Sequence, residues 1–171
     1  MTNRNEYFLK LPGFSHSEAL LTKANFQIRT VQTSDASSLA ELMLDAYRGT
    51  VDDDGETLDD AIAEVNTFFA GERGGQPWGQ PWLEMSYLAF VDSRLVGACL
   101  AGEWSERQLP IIAYVLTSAN WKKRGIGRQL LYQVLKDLSG KGYPEVRAVI
   151  TEGNKPSENL FLQIGFQRVT T

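Results

Sequence analysis

This chain carries one cysteine and one histidine in 171 residues. The lone Cys99 excludes an intrachain disulfide and fits a reducing, cytoplasmic setting. Its neighbours in Val96-Gly97-Ala98-Cys99-Leu100 are small and apolar, so it reads as a buried strand thiol rather than a nucleophile. With only His16 to offer, a histidine-rich metal site is excluded, and no metal is expected. No apolar run approaches the roughly 20 residues of a membrane span. The first residues include Glu6 and lack the apolar core of a signal peptide. Acidic residues outnumber basic ones, 21 to 17, for a formal net charge of −4, which argues against a general nucleic-acid partner. Two common phosphate-binding signatures are also missing. There is no Gly-Lys-Ser/Thr loop and no three-glycine turn after a first strand.

What is present is a chain 43% hydrophobic, enough to bury one good core, and most simply one domain. Its most informative stretch is Lys122-Lys123-Arg124-Gly125-Ile126-Gly127-Arg128. Before it, Ile111 to Thr117 is apolar and β-branched, as in a buried strand. After it, Ile126, Leu130, Leu131, Val134, Leu135 and Leu138 recur at helical spacing. A basic, glycine-containing turn at a helix start presents free backbone N–H groups and the positive end of the helix dipole, both of which favour a phosphate or pyrophosphate.

The rest of the chain is read by period and punctuation. Residues 1–25 show little periodicity and look like an extension packed on, or trailing from, the domain. Phe26 to Val31 alternates as a half-buried strand. Asp35 is placed to cap a helix whose Leu39, Leu42, Met43 and Ala46 share a face. Thr57 and Asp60 mark a second helix start, followed by a stripe of Leu58, Ile62, Val65 and Phe69. Residues 71–82 are rich in Gly and Pro and contain Gly-Gln-Pro-Trp twice, which reads as a flexible surface loop with two anchoring tryptophans. Strands follow at about 86–92 and 94–103 around an Asp92-Ser93-Arg94 turn, then a strand at 110–117 and a helix at 125–140. A strand at 146–151, a helix at 156–164 and a last strand at 167–170 complete an α/β chain of order β-α-α-β-β-β-α-β-α-β.

Lys122 to Gly127 resembles the Q/R-x-x-G-x-G/A motif of the GNAT superfamily of acyl-CoA-dependent N-acetyltransferases, with Lys122 where that family has Gln or Arg. Asn154-Lys155-Pro156-Ser157-Glu158-Asn159-Leu160-Phe161, followed by Gly165-Phe166, resembles the family's later N-x-x-A-x-x-x-Y and G-F motif. The two lie in the family's order, and the resemblance covers roughly residues 26–170. It implies a GNAT-like mixed sheet flanked by helices, in which the strands at 110–117 and 146–151 splay apart around pantetheine. It also implies acetyl-CoA as acyl donor, with its pyrophosphate on Lys122, Lys123, Arg124, Gly125, Ile126, Gly127 and Arg128. Val115, Leu116 and Thr117 would then run along pantetheine and the thioester, an N–H near Thr117 would hold the oxyanion, and Asn154, Ser157 and Phe161 would complete the cofactor side. Phe161 departs from the family, since a Tyr there often protonates the departing thiolate and Phe has no proton to give. A thiol of ordinary pKa about 8.5 is already a fair leaving group, and Ser157, one helical turn earlier, can hold a proton-carrying water.

The acceptor side is read from the residues and leaves alternatives open. From Asp52 to Glu64 there are seven acidic residues and no basic one. That run attracts a cationic amine, or else forms a solvated loop with helix-start carboxylates. Tyr47 and Arg48 are substrate contacts or helix-end residues. The acceptor's ammonium must lose a proton before attack. Glu152 is the first candidate base and Glu103 the second, with Tyr114 lining the thioester cavity or packing in the core.

The resulting expectation is an N-terminal extension over 1–25 and one acyltransferase domain over 26–171. It would move an acetyl group to a primary amine of a small molecule or peptide, with no nucleic-acid or membrane partner and a homodimer left open. Two other classes stay in play. One is an acyl-CoA-binding sensor with little catalysis; the other is an interaction module recruited through the tryptophan-rich loop.

Overall fold

The computed structural model describes residues 3–15, 26–72 and 74–170, so His16, expected to be solvated, lies outside the described residues. One sheet is built from β1 (Arg4–Lys10), β2 (Gln27–Thr30), β3 (Tyr87–Val91), β4 (Arg94–Trp104), β5 (Leu109–Thr117), β6 (Glu145–Thr151) and β7 (Gln167–Arg168). The strand order is β2-β3-β4-β5-β6-β1-β7. Every neighbouring pair is antiparallel except β5 and β6. On one face lie α1 (Ala36–Tyr47) and α2 (Leu58–Phe69), and on the other α3 (Ile126–Gly140) and α4 (Lys155–Ile164). From residue 26 onward this is the mixed α/β order expected.

The aperiodic look of residues 1–25 hides a strand. β1 pairs along its whole length with β6, from Arg4 opposite Thr151 to Lys10 opposite Glu145. Only Tyr7 and Leu9 reach the core, an alternation too short to register as a period. On the opposite face Glu6 pairs with Arg147 of β6 at 2.8 Å, a partner 141 residues away. The ladder with β6, the buried Tyr7 and Leu9 and this cross-sheet ion pair together hold the segment as a strand.

Local chemistry explains most of the other elements, and two expectations are corrected. Leu39, Leu42, Met43 and Ala46 of α1 are all buried. Asp35 precedes that helix without capping it; its carboxylate accepts from the Gln32 N–H at 2.8 Å and forks with Arg29 at 2.7 and 2.9 Å. In α2, Thr57 and Asp60 form the expected capping box, but the buried stripe is Ala61, Val65 and Phe68, with Leu58 exposed. The helix is rolled because Phe68 packs edge-on against Tyr114 of β5, ring centroids 5.7 Å apart. Positive φ at both Asp92 and Ser93 gives the tight β3–β4 hairpin. Cys99 is fully buried in β4, and desolvation pushes its thiol pKa up.

The repeated Gly-Gln-Pro-Trp is anchored by its tryptophans, as expected, but it is not a free loop. Where β3 ends, residues 79–82 take over the edge of β4. Gly79 N–H donates to the Glu103 carbonyl at 2.8 Å, Glu103 N–H to Gln80 at 2.8 Å, and Trp82 N–H to Ala101 at 2.9 Å. The two tryptophans then go to different neighbours, Trp78 to Tyr114 and Trp82 to Tyr143.

Candidate active site

β5 and β6 are joined only at Ile111–Arg147 and Ile112–Ala148. Beyond Ile112, β5 keeps its pairing with β4 as far as Thr117, while β6 pairs with β1. The two parallel strands therefore splay. A cavity of about 420 Å³ opens at the fork. Ala113 to Val115 and Ala148 to Thr151 line it from the strands, Ser157 and Phe161 from α4, and Tyr47, Glu64 and Phe68 from α1 and α2. Because both layers contribute, the cavity passes through the sheet.

Past the end of β5, α1 grips the chain. Asp45 accepts from the Ser118 hydroxyl at 2.6 Å and the Ala119 N–H at 3.0 Å, and these bonds hold its carboxyl below the ordinary carboxylate range. Lys122 donates to the Ala46 carbonyl at 2.8 Å, so this ammonium satisfies the end of α1. The turn that follows winds through Lys123, at φ +64°, and Gly125, at φ +81°. Gly125 is the N-cap of α3, and no side chain caps this helix. Gln129 is the first to bond back, to the Gly125 carbonyl at 3.0 Å. The N–H groups of Ile126, Gly127 and Arg128 thus lack intrahelical acceptors, at the positive end of the dipole. Gly127 is set by packing: a Cβ there would lie 3.3 Å from Val115 and 3.5 Å from Thr117.

A family model described as Acetyltransferase (GNAT) family matches residues 37–166. The chain belongs to the GNAT family of acetyltransferases. Solved structures with the same fold include PH1933 of Pyrococcus horikoshii OT3, at 21% identity and TM-score 0.69 over 86% of this chain and 92% of that one. The PaiA N-acetyltransferase of Thermoplasma acidophilum, solved with coenzyme A, matches at 16% identity and TM-score 0.65 over 86% and 93%. AAC(6')-Iy, solved with the bisubstrate analogue CoA-S-monomethyl-acetylneamine, matches at 15% identity and TM-score 0.61 over 86% and 95%.

Within this GNAT fold the cofactor-side candidates separate by role. Val115, Asn154, Ser157 and Phe161 line the cavity. Leu116 is buried on the α1–α2 face, and Thr117 lies beside Gly127. Ile126 is a core residue under Gly97, where a Cβ would meet it at 2.5 Å. Arg124 stacks over Trp121 at 4.6 Å, and Arg128 donates to Gln163 of α4. Lys123 makes no ion pair among the described residues. Asn154 caps α4 through the Ser157 N–H at 3.2 Å and donates to Asp52 at 2.8 Å.

The acceptor-side candidates fare differently. Tyr114 lines the cavity and donates to Glu64 at 2.7 Å. Glu152 is exposed just past β6, its N–H bonded to Asn3, and is not a lining residue. Glu103 sits opposite Pro110, at the closed end of the β4–β5 pair and away from the fork. Of the acidic run, Asp52, Asp54, Glu56 and Glu64 line the cavity, whereas Asp53 and Asp60 bond loop and helix-start groups. Asp52 accepts from Thr151 at 2.6 Å as well as from Asn154. Tyr47 lines the cavity with its phenol pKa raised by burial and then by Glu64, while Arg48 is exposed at the helix end. Sequence reasoning did not find Arg4, Gln76 or Trp78, which also line the cavity. Gln76 and Trp78 belong to the Gly-Gln-Pro-Trp duplication, which marks a loop and not a cavity wall, and nothing in the local spacing of Arg4 marks it.

Proposed function

We propose that this protein transfers an acetyl group from acetyl-CoA to the primary amine of a small molecule or peptide. The observation that carries the proposal is the through-sheet cavity at the β5–β6 fork, lined by carboxylates, with the uncapped α3 N-terminus lying behind Val115 of its wall, against which Gly127 packs. The uncapped N–H groups and Lys123 fit a pyrophosphate, and the unpaired strand edges fit an extended amide-bearing chain. Acetyl-CoA, when bound, supplies a thioester activated for attack by an amine.

The chain's own groups supply the rest. Asp52, Asp54, Glu56 and Glu64 share the cavity and form no ion pair among the described residues, which suits a cationic acceptor. Glu64 is better placed than Glu152 or Glu103 to take the ammonium proton, directly or through water. Tyr114 stays protonated, because burial and then the Glu64 charge raise its pKa, so it holds Glu64 in place as a donor. N–H groups of β5 beyond Ile112 can donate to the developing oxyanion. Phe161 offers no proton, and Ser157 can position a water in its place. The complex of AAC(6')-Iy, which shares this fold, with the bisubstrate analogue CoA-S-monomethyl-acetylneamine supports the reading.

Acetyl-CoA titration by calorimetry, followed by a thiol-release assay across an amine panel, tests the proposal. Binding with thiol release at a rate set by one amine class supports it. Binding with no release by any amine favours the sensor reading, which the phenylalanine at position 161 motivates.

A further inference from the structure

We propose that Arg4 gives the acceptor end of the cavity a subsite for an anionic group, so that the acceptor is an amino carboxylate, one small molecule bearing both a primary amine and a carboxylate. The inference rests on the reading of this cavity as the acceptor site. Arg4 opens β1, opposite Thr151 at the end of β6. Its place is held by the sheet, since the neighbouring Asn3 carbonyl accepts the Glu152 N–H at 2.9 Å. The side chain joins Glu64, Thr67, Gly74 and Gln76 in lining the α2 side of the cavity, and the 122–128 turn does not line it. Arg4 is thus on the acceptor side, apart from the pyrophosphate turn.

Its charge is the telling feature. Among the described lining residues Arg4 is the sole cation beside Asp52, Asp54, Glu56 and Glu64, yet it forms no ion pair with any of them. Its guanidinium donates instead to the neutral side-chain carbonyl of Gln76. A guanidinium has five donors in a planar fork that matches a carboxylate two-pronged. Arg4 is exposed at the cavity rim, and one neutral acceptor leaves most of that capacity open to an entering group. Glu64 and Asp52 stand on other elements, α2 and the loop before it, and suit the ammonium. A cavity whose guanidinium and carboxylates come from separate elements and form no ion pair with one another complements a molecule that carries both charges. A diamine would set its second ammonium against Arg4, and that repulsion disfavours it.

The test compares amino carboxylates, alkylamines and diamines of matched chain length. It measures kcat/KM with acetyl-CoA and, separately, binding by calorimetry to protein saturated with CoA. The expected result is that wild type prefers the amino carboxylate. Arg4→Gln should then lower the ratio of kcat/KM for amino carboxylate over alkylamine by about 10- to 100-fold. That loss should appear in KM and in the calorimetric affinity. Arg4→Lys should recover part of it, because an ammonium keeps the charge without the fork. A ratio unchanged by Arg4→Gln, or a wild-type preference for diamines, overturns the subsite while leaving acetyl transfer intact. Arg4-dependent binding of the amino carboxylate without any turnover would support the subsite and overturn the transferase reading. Absence of both binding and turnover would overturn the two together.

Discussion

The Tyr114 hydroxyl donates a 2.7 Å hydrogen bond to Glu64, tying β5 to α2 across the cavity at the fork of the sheet. The phenol is a fixed donor and the carboxylate its acceptor, and in the proposed mechanism this bond holds Glu64 ready for the acceptor's ammonium. Glu64→Gln should lower kcat/KM by about 10²- to 10⁴-fold, the usual worth of a general base, and flatten its pH profile. Acetyl-CoA affinity, read by calorimetry, should stay near wild type. Tyr114→Phe should cost less, because it loosens the base without removing it. The same profile measured on Glu152→Gln separates the carboxylates. A flattened profile there, with Glu64→Gln unaffected, would return the base to the end of β6.

Phe161 lies in the cavity wall with its ring edge-on to Phe166, centroids 4.9 Å apart. Phe161→Tyr should fold normally, since it adds one hydroxyl at the cavity boundary. Where protonation of the leaving thiolate limits turnover, kcat should rise, by as much as about 10²-fold. Stopped-flow thiol release checks this, and a fall in kcat would show that packing against Phe166 outweighs the missing proton.

The anion turn can be tested without breaking the fold. Gly127→Val is a poor probe, since its side chain would press on Val115 and Thr117. Such overpacking costs about 1–3 kcal/mol and should lower Tm by about 2–4 °C for each kcal/mol. Lys123→Gly is the cleaner variant. Glycine adopts the left-handed backbone of that position, at φ +64°, without a Cβ penalty, so Tm should hold or rise. Acetyl-CoA affinity should fall by about 3- to 10-fold through the lost charge. The gap between variant and wild type should narrow at high salt.

Acid stability should report the Asp35–Arg29 fork. Hydrogen bonding from Arg29, opposed by burial and aided by the Gln32 N–H, holds the Asp35 carboxyl below the ordinary carboxylate range. A folded pKa below the unfolded one stabilises the protein above the unfolded value and is lost as pH falls through the folded value. Asp35→Asn should therefore cost about 1 kcal/mol at neutral pH and much less in strong acid. Urea unfolding at a series of pH values measures the convergence.

Much of this protein was legible locally. The α1 face, the Thr57–Asp60 box, the β3–β4 turn and the glycine-bearing start of α3 each depend on residues within a few positions of one another. Both motif segments lie where the resemblance placed them, and the splay it implied is present in the β5–β6 register. The misses share a cause. β1 carries too few core residues to show a period, and its Glu6 finds Arg147 only across the sheet. The α2 stripe turned toward Phe68 because Tyr114 is its neighbour in space. The base candidates Glu152 and Glu103, both at strand ends, are a separate matter: neither lines the cavity, and the pH profiles above are what decide between them and Glu64.

By itself, then, the sequence determined the elements and the glycine-bearing start of α3, since hydrophobic period, helix caps and left-handed glycines act within a turn or a strand. The tertiary structure alone decided which charges meet in the cavity at the β5–β6 fork. Arg4, Asp52, Glu64 and Tyr114 come from four separate stretches of chain, and sheet register and helix roll bring them together. Electrostatic partners need proximity in space, and a charged side chain carries no periodic signal along the chain to announce its partner.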